Sequence, residues 1–158
     1  MTRTLPLRSA LAVLLASLVV APTASARPDD AARLQMIWPA RGTITAHYGE
    51  WRGSRRHDGL DIGMLRSLRL RAVAGGVVRE AGYVAGYEGY GLVVLLALPG
   101  PYTALYAHLS SVSVGGGRRV RKGQNLGLAG CTGNCSGTHL HFEVRRAGVS
   151  VNPMRFLG

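Results

Sequence analysis

Acidic residues are scarce in this chain: eight Asp and Glu stand against nineteen Lys and Arg, a formal charge of +11 over 158 residues. Such a balance calls for an anionic partner. Nucleic acid is the reflex candidate, but the basic residues are spread out, apart from Arg118-Arg119-Val120-Arg121-Lys122. Long apolar runs are also lacking, with one exception at residues 10–21. That run follows Arg3 and Arg8, precedes the small-x-small site Ala24-Ser25-Ala26, and is too short for a comfortable membrane span. It therefore reads as an export signal cut after Ala26, with no stable membrane anchor, and the absence of a cysteine near the cut argues against lipoprotein processing. Outside the cytoplasm the anionic partners on offer are wall polymers and membrane surfaces, so no nucleic-acid partner is expected. Cysteine is limited to Cys131 and Cys135, four apart in a Gly/Asn/Ser loop. In an exported chain that spacing favours a disulfide, with free thiols or an intermolecular link as the alternatives. A second metal site is disfavoured because no spare histidine lies nearby in sequence.

Helical periodicity is missing too. Beyond residue 27, glycine recurs every few positions and short Val/Leu/Tyr runs sit between turns, an all-β pattern. Strands are expected at residues 43–47, 60–63, 76–80, 91–98, 102–108, 125–129 and 140–145. Pro99-Gly100 should close a hairpin between the fourth and fifth of these, with His108 at its far end. Gly123 should turn a second hairpin within residues 120–128. The expected division is residues 1–26 signal peptide, 27–37 a polar lead-in and 38–158 one domain. The expected architecture is a compact antiparallel β-sheet with long connecting loops, and a monomer.

Against these shortages stand five histidines, four of them in suggestive places. In His139-Leu140-His141-Phe142-Glu143 a strand would turn both imidazoles to one face, with alpha carbons about 6.5–7 Å apart, and leave Leu140 and Phe142 for the core. Upstream, His57-Asp58-Gly59-Leu60-Asp61 offers a histidine and a carboxylate, with Gly59 discouraging a helix so that His57 enters from a loop and Asp61 from a strand. His57, Asp61 and one of the two strand histidines make a three-ligand set for zinc that leaves a fourth position open for water. The other strand histidine and His108 remain for proton chemistry. His47 has no part. Glu143 shares the face of the strand histidines and could orient an imidazole, whereas Asp58 reads as a surface or turn residue. Tyr106 alternates onto the face of His108, which leaves cleft and core both open to it.

In order and spacing, these segments resemble the lysostaphin-type, or LytM-like, zinc metallopeptidases that cut peptide bonds in bacterial peptidoglycan. The resemblance runs from about Trp38 to Leu157 through His57–Ile62, Tyr106–Ser110, Val120–Gln124, Gly130–Gly133, Gly137–Val144 and Val151-Asn152-Pro153. It implies one zinc held by His57, Asp61 and His141, and catalytic roles for His108 and His139. It further implies a periplasmic or cell-wall enzyme acting on the stem peptides and cross-bridges of peptidoglycan. Two departures stand out: Cys131 and Cys135 occupy a loop where small or hydroxyl residues are common, and Thr138 stands where proline is frequent. The family also includes degenerate members that bind and activate amidases without zinc, so a non-catalytic activator is the alternative. Glycan cleavage is not expected, because it usually relies on two carboxylates flanking the bond.

Overall fold

The described residues form twelve strands, most of them short and separated by glycine-containing turns: β1 (Thr43–Ala46), β2 (Trp51–Arg52), β3 (Arg55–Arg56), β4 (Leu60–Gly63), β5 (Arg69–Arg71), β6 (Gly76–Tyr83), β7 (Leu92–Ala97), β8 (Tyr102–Val112), β9 (Arg119–Val120), β10 (Asn125–Ala129), β11 (Leu140–Arg146) and β12 (Val149–Val151). They belong to a computed structural model that describes Met1 and residues 34–158. Residues 2–33, which hold the expected export signal and most of the lead-in, lie outside the described residues. The folded unit takes in the end of the lead-in: Leu34 and Met36 are buried, and Met36 bridges to Leu157 near the C-terminus.

All pairings between these strands are antiparallel, and the main sheet runs β1-β4-β11-β8-β7-β6-β9. β10 joins β5 to the far end of β8, β12 pairs with β11, and β2 and β3 form a separate hairpin. The fold is thus the all-β antiparallel architecture expected from the glycine-punctuated pattern. All seven expected strands are present, and residues 60–63 and 125–129 keep their bounds. The additional strands have two or three residues each, too short for a period-2 pattern to register. Pro99-Gly100 does close the β7–β8 hairpin, with Leu98 N–H donating to Tyr102 O at 3.0 Å.

The core lies on both sides of the sheet. β11 and β4 are buried along almost their whole length although apolar and polar residues alternate in both, so Asp61, His141 and Glu143 are buried together with Leu60, Leu140 and Phe142. One cluster gathers Leu60, Ile62, Leu96, Tyr106, Leu109, Leu126 and Phe142, and a smaller one on the opposite face gathers Val93, Leu95, Leu105 and Ala107 under Tyr87 and Tyr90.

Three expectations are corrected. β8 does not end at His108 but continues to Val112 through a β-bulge: Leu109 faces Leu92 and Tyr106 faces Val94, so Ala107 and His108 together oppose one residue, Val93. His108 has φ of +62°. The bulge breaks the two-residue period, and so Tyr106 and His108 do not share a face. Tyr106 is a core residue, fully buried against Phe142, with its hydroxyl accepting the Val73 N–H at 2.9 Å. Gly123 does turn the chain, with φ of +81°, but the segments it joins do not form a hairpin: β9 pairs with β6 and β10 with β5 and β8.

The structural assignment of Tyr106 has a direct consequence. Tyr106→Phe keeps the packing but strands a buried N–H on Val73, so thermal or denaturant unfolding should show a loss of about 1–3 kcal/mol. Metal content of the folded variant should stay at the wild-type level, which a cleft residue's removal would not guarantee.

Candidate metal centre

Strand register brings the acceptors together. Asp61 on β4 lies directly opposite His141 on β11, which lies opposite Ala107 in the β8 bulge. Residues paired in this way have their Cβ atoms about 4.5–5.5 Å apart, so a carboxylate and an imidazole on one face must meet. His57 arrives from the loop between β3 and β4, held by Gly49 and Glu50: Gly49 N–H donates to His57 O and His57 N–H to Glu50 O, both at 2.8 Å. Gly59 carries more than helix avoidance. A Cβ there would come within 2.6 Å of Phe142 O and 2.8 Å of His141 Cε1, so only glycine lets the ligand loop lie against β11.

The result is three buried ligand atoms: His57 Nε2 and Asp61 Oδ1 are 3.1 Å apart, His57 Nε2 and His141 Nδ1 3.0 Å, and His141 Nδ1 and Asp61 Oδ1 2.7 Å. The far nitrogen of each ring is already committed. His57 Nδ1 donates to the His47 carbonyl at 2.9 Å, and His141 Nε2 donates to Glu143 Oε1 at 3.0 Å. Those bonds place the ring protons on the outside and leave two bare nitrogens and a carboxylate oxygen facing one another. Three acceptors so close repel unless a cation stands between them. The spacing approaches the edge of about 3.3 Å that a tetrahedral zinc site with bonds near 2.0–2.1 Å requires. Arg52 from the β2–β3 hairpin donates to Asp61 Oδ2, which leaves Oδ1 as that residue's one free ligand atom.

Electrostatics follow from these contacts. Burial would push the Asp61 carboxyl up, but the adjoining His141 and His57 rings, through any proton they take up on that side, and the Arg52 guanidinium hold it well below the usual carboxylate range. His141 is raised: burial works against its charge, and Asp61 and Glu143 outweigh that. Glu143 is fully buried, yet His141, Arg145 and Tyr90 keep it ionised with a pKa lowered to about 2. Arg145 Nε donates to Glu143 Oε2 at 2.7 Å, and Tyr90 O–H donates to Oε1, also at 2.7 Å. Glu143 therefore backs His141 as its place on the strand suggested, while Asp58 is exposed.

His108 and His139 complete the cluster, with ring centroids 4.8 Å apart, and His108 lies 5.9 Å from His141. His139 Nε2 approaches Asp61 Oδ1 at 3.9 Å. Each ring is fixed by a carbonyl of one loop: His108 Nδ1 donates to Thr132 O at 2.8 Å and His139 Nδ1 to Gly137 O at 2.7 Å. Nε2 is then the nitrogen each can use for chemistry. Burial, followed by the neighbouring imidazoles, lowers the His108 pKa despite the Thr132 bond, which favours the neutral ring. The loop is itself anchored. Thr132 Oγ1 accepts the Leu92 N–H at 2.9 Å and donates to Leu109 O at 2.8 Å, and Cys131 and Cys135 sit at disulfide distance with Cα atoms 5.3 Å apart.

All five site residues expected from the sequence thus converge. Arg52, Tyr90, Thr132 and the His47 carbonyl also serve the site, and none carries a local sequence signal for that role. Because Glu143 holds the outer nitrogen of His141, Glu143→Gln should weaken zinc affinity about 10–100-fold. Competition against a zinc chelator measures this directly, with far-UV circular dichroism confirming the fold.

Comparison with known proteins accords with this geometry. The sequence profile described as Peptidase family M23 matches residues 55–153, more than half of the chain. The murein hydrolase activator EnvC of Escherichia coli is 38% identical over 129 residues, covering 81% of this chain and 30% of EnvC. The chain therefore spans less than a third of that relative. Among solved structures, a zinc-containing peptidase from Vibrio cholerae superposes with a TM-score of 0.67 at 25% identity, over 77% of this chain and 40% of that one. The catalytic domain of lysostaphin from Staphylococcus simulans gives 0.65 at 25% identity, over 82% of this chain and 96% of that domain. On the strength of a profile that runs from the ligand loop to the last strand, this chain belongs to peptidase family M23.

Proposed function

We propose that this chain is an exported, zinc-dependent endopeptidase that hydrolyses peptide cross-links of peptidoglycan. The observation that carries the reading is the pair His108 and His139, each with Nδ1 tied to a loop carbonyl and Nε2 left for chemistry beside the three-acceptor cluster. His57, Asp61 and His141 are the proposed zinc ligands. Zinc bound there would activate a water and polarise the scissile carbonyl. One of the two free imidazoles takes the proton of the attacking water and delivers it to the leaving amine, and the other donates a hydrogen bond to the oxyanion. Both tasks need a ring of fixed direction, which the carbonyls of Thr132 and Gly137 provide.

The resemblance to a murein hydrolase activator supports a second reading, in which the domain binds an amidase and cuts nothing. Two positioned histidines outside the ligand set have no physical role in that reading.

His108→Ala and His139→Ala should each retain zinc and fold while losing about a hundredfold or more in turnover. His141→Ala should lose the metal. Metal analysis of the purified variants, paired with rates on cross-linked muropeptides, separates the two groups.

Digestion of purified sacculi by the zinc-loaded protein tests the function itself. New amino groups should appear in step with loss of cross-linked dimers, without a rise in reducing ends. Binding without release, together with acceleration of an added amidase, would establish the activator reading instead.

A further inference from the structure

Arg41, Arg66, Arg69 and Arg71 take no part in the metal centre, and all four border a groove of about 1110 Å³ along β1. Thr45 and Ala46 line the cleft that holds Asp61, His108 and His139, whereas Thr43, Ile44 and His47 line the groove. The same short strand thus separates two concave surfaces. Ile37, Trp38, Ala40 and Ile44 give the groove an apolar lining, and no Asp or Glu lies among its residues.

Four like charges held around one concavity repel one another, and among the described residues no Asp or Glu offsets the repulsion. All four arginines are exposed, and no carboxylate among the described residues pairs with any of them. Their placement is ordered. Arg69 and Arg71 flank the buried Leu70 on β5, so both project to one side with alpha carbons about 6.5–7 Å apart. The Arg66 N–H donates to Arg41 O at 2.9 Å, which ties the segments after β4 and before β1 together. Among the described residues β1 pairs with β4 alone, which leaves its outer edge with main-chain donors and acceptors to offer an extended chain. A bilayer surface is flat and would meet a concave groove poorly. A chain with its own peptide groups and several anionic side groups fits both the edge and the arginines.

We infer that this groove binds an extended peptide carrying several free carboxylates, and that its occupant in the wall polymer is a stem peptide neighbouring the cross-link at the metal centre. Naming the occupant rests on the wall-peptide reading proposed above; the carboxylate chemistry rests on the groove. Stem peptides recur along each glycan strand, so a second contact beside the cleft raises the local concentration of cross-links at the site.

Co-sedimentation of the protein with purified sacculi at low and moderate salt provides the test. Arg66→Gln/Arg69→Gln/Arg71→Gln should bind about tenfold more weakly than wild type, the expectation when three exposed ion pairs are removed together. Arg118→Gln/Arg119→Gln/Arg121→Gln removes the same charge elsewhere and should bind as wild type does. Sacculi whose carboxylates have been converted to methylamides should lose wild-type binding to a similar extent. Unchanged binding by the groove variant, or an equal loss in the control variant, would overturn the inference. So would a groove-dependent preference for phosphatidylglycerol vesicles over sacculi. Binding is read without turnover: groove-dependent binding with no cleavage sinks only the endopeptidase proposal, and cleavage with groove-independent binding sinks only this one.

Discussion

Three acceptor atoms facing one another at 2.7–3.1 Å are the constraint around which this end of the sheet is organised. No arrangement of the protein's own protons satisfies two bare imidazole nitrogens and a carboxylate at once, because the ring protons are committed to the His47 carbonyl and to Glu143. A divalent cation resolves the conflict; a single proton resolves only part of it, which is the physical meaning of the raised His141 and the depressed Asp61. The surrounding features then have reasons. Gly59 is small because the ligand loop must touch β11. Glu143 tolerates full burial because Arg145, Tyr90 and His141 all donate to it.

A second scaffold, independent of the ligands, sets His108 and His139. Both rings rest on the loop of residues 131–137, one on the Thr132 carbonyl and one on that of Gly137. Thr132 links that loop to the start of β7 and to the β8 bulge through its hydroxyl, so bulge, loop and histidines form one unit. Gly91 and Gly133 let the backbones approach: a Cβ on Gly133 would lie 2.5 Å from the Gly91 nitrogen. Closing Cys131 to Cys135 adds about 2 kcal/mol on chain-entropy grounds, but its position matters more than that amount, since it stiffens the segment that aims both rings.

His57, Asp61 and the H-x-H pair were legible as candidate ligands from local rules, whereas the choice of His141 over His139 came from the family resemblance alone. An H-x-H in a strand presents two rings on one face, a glycine-interrupted H-x-x-x-D enters from a loop, and Glu143 follows at the same two-residue spacing. His108 could be named from its motif but not aimed, since the bulge that turns it is a feature of the β7–β8 pairing and has no local sequence mark. Simple alternation therefore put Tyr106 beside it, whereas Tyr106 belongs to the core. Arg52 and Tyr90 reach the site across 9 and 53 residues of sequence and carry no local mark of doing so. β5 and β9 are likewise too short to have a period of their own, and their pairing is a product of the sheet.

Charge balance at the centre bears on what kind of protein this is. Asp61 is matched by Arg52 and Glu143 by Arg145, so the two carboxylates nearest the cluster are each neutralised from outside. The remaining inner donors, His57 and His141, are neutral rings when their outer protons are in place. A ligand set of that kind returns little negative charge to a bound dication, and so its polarising power is kept for whatever enters the open position. Structural zinc sites are instead closed by four thiolate or imidazole ligands. Three protein ligands with a fourth position open suit Lewis-acid chemistry, and the two directed imidazoles beside them are what the proposed hydrolysis would use.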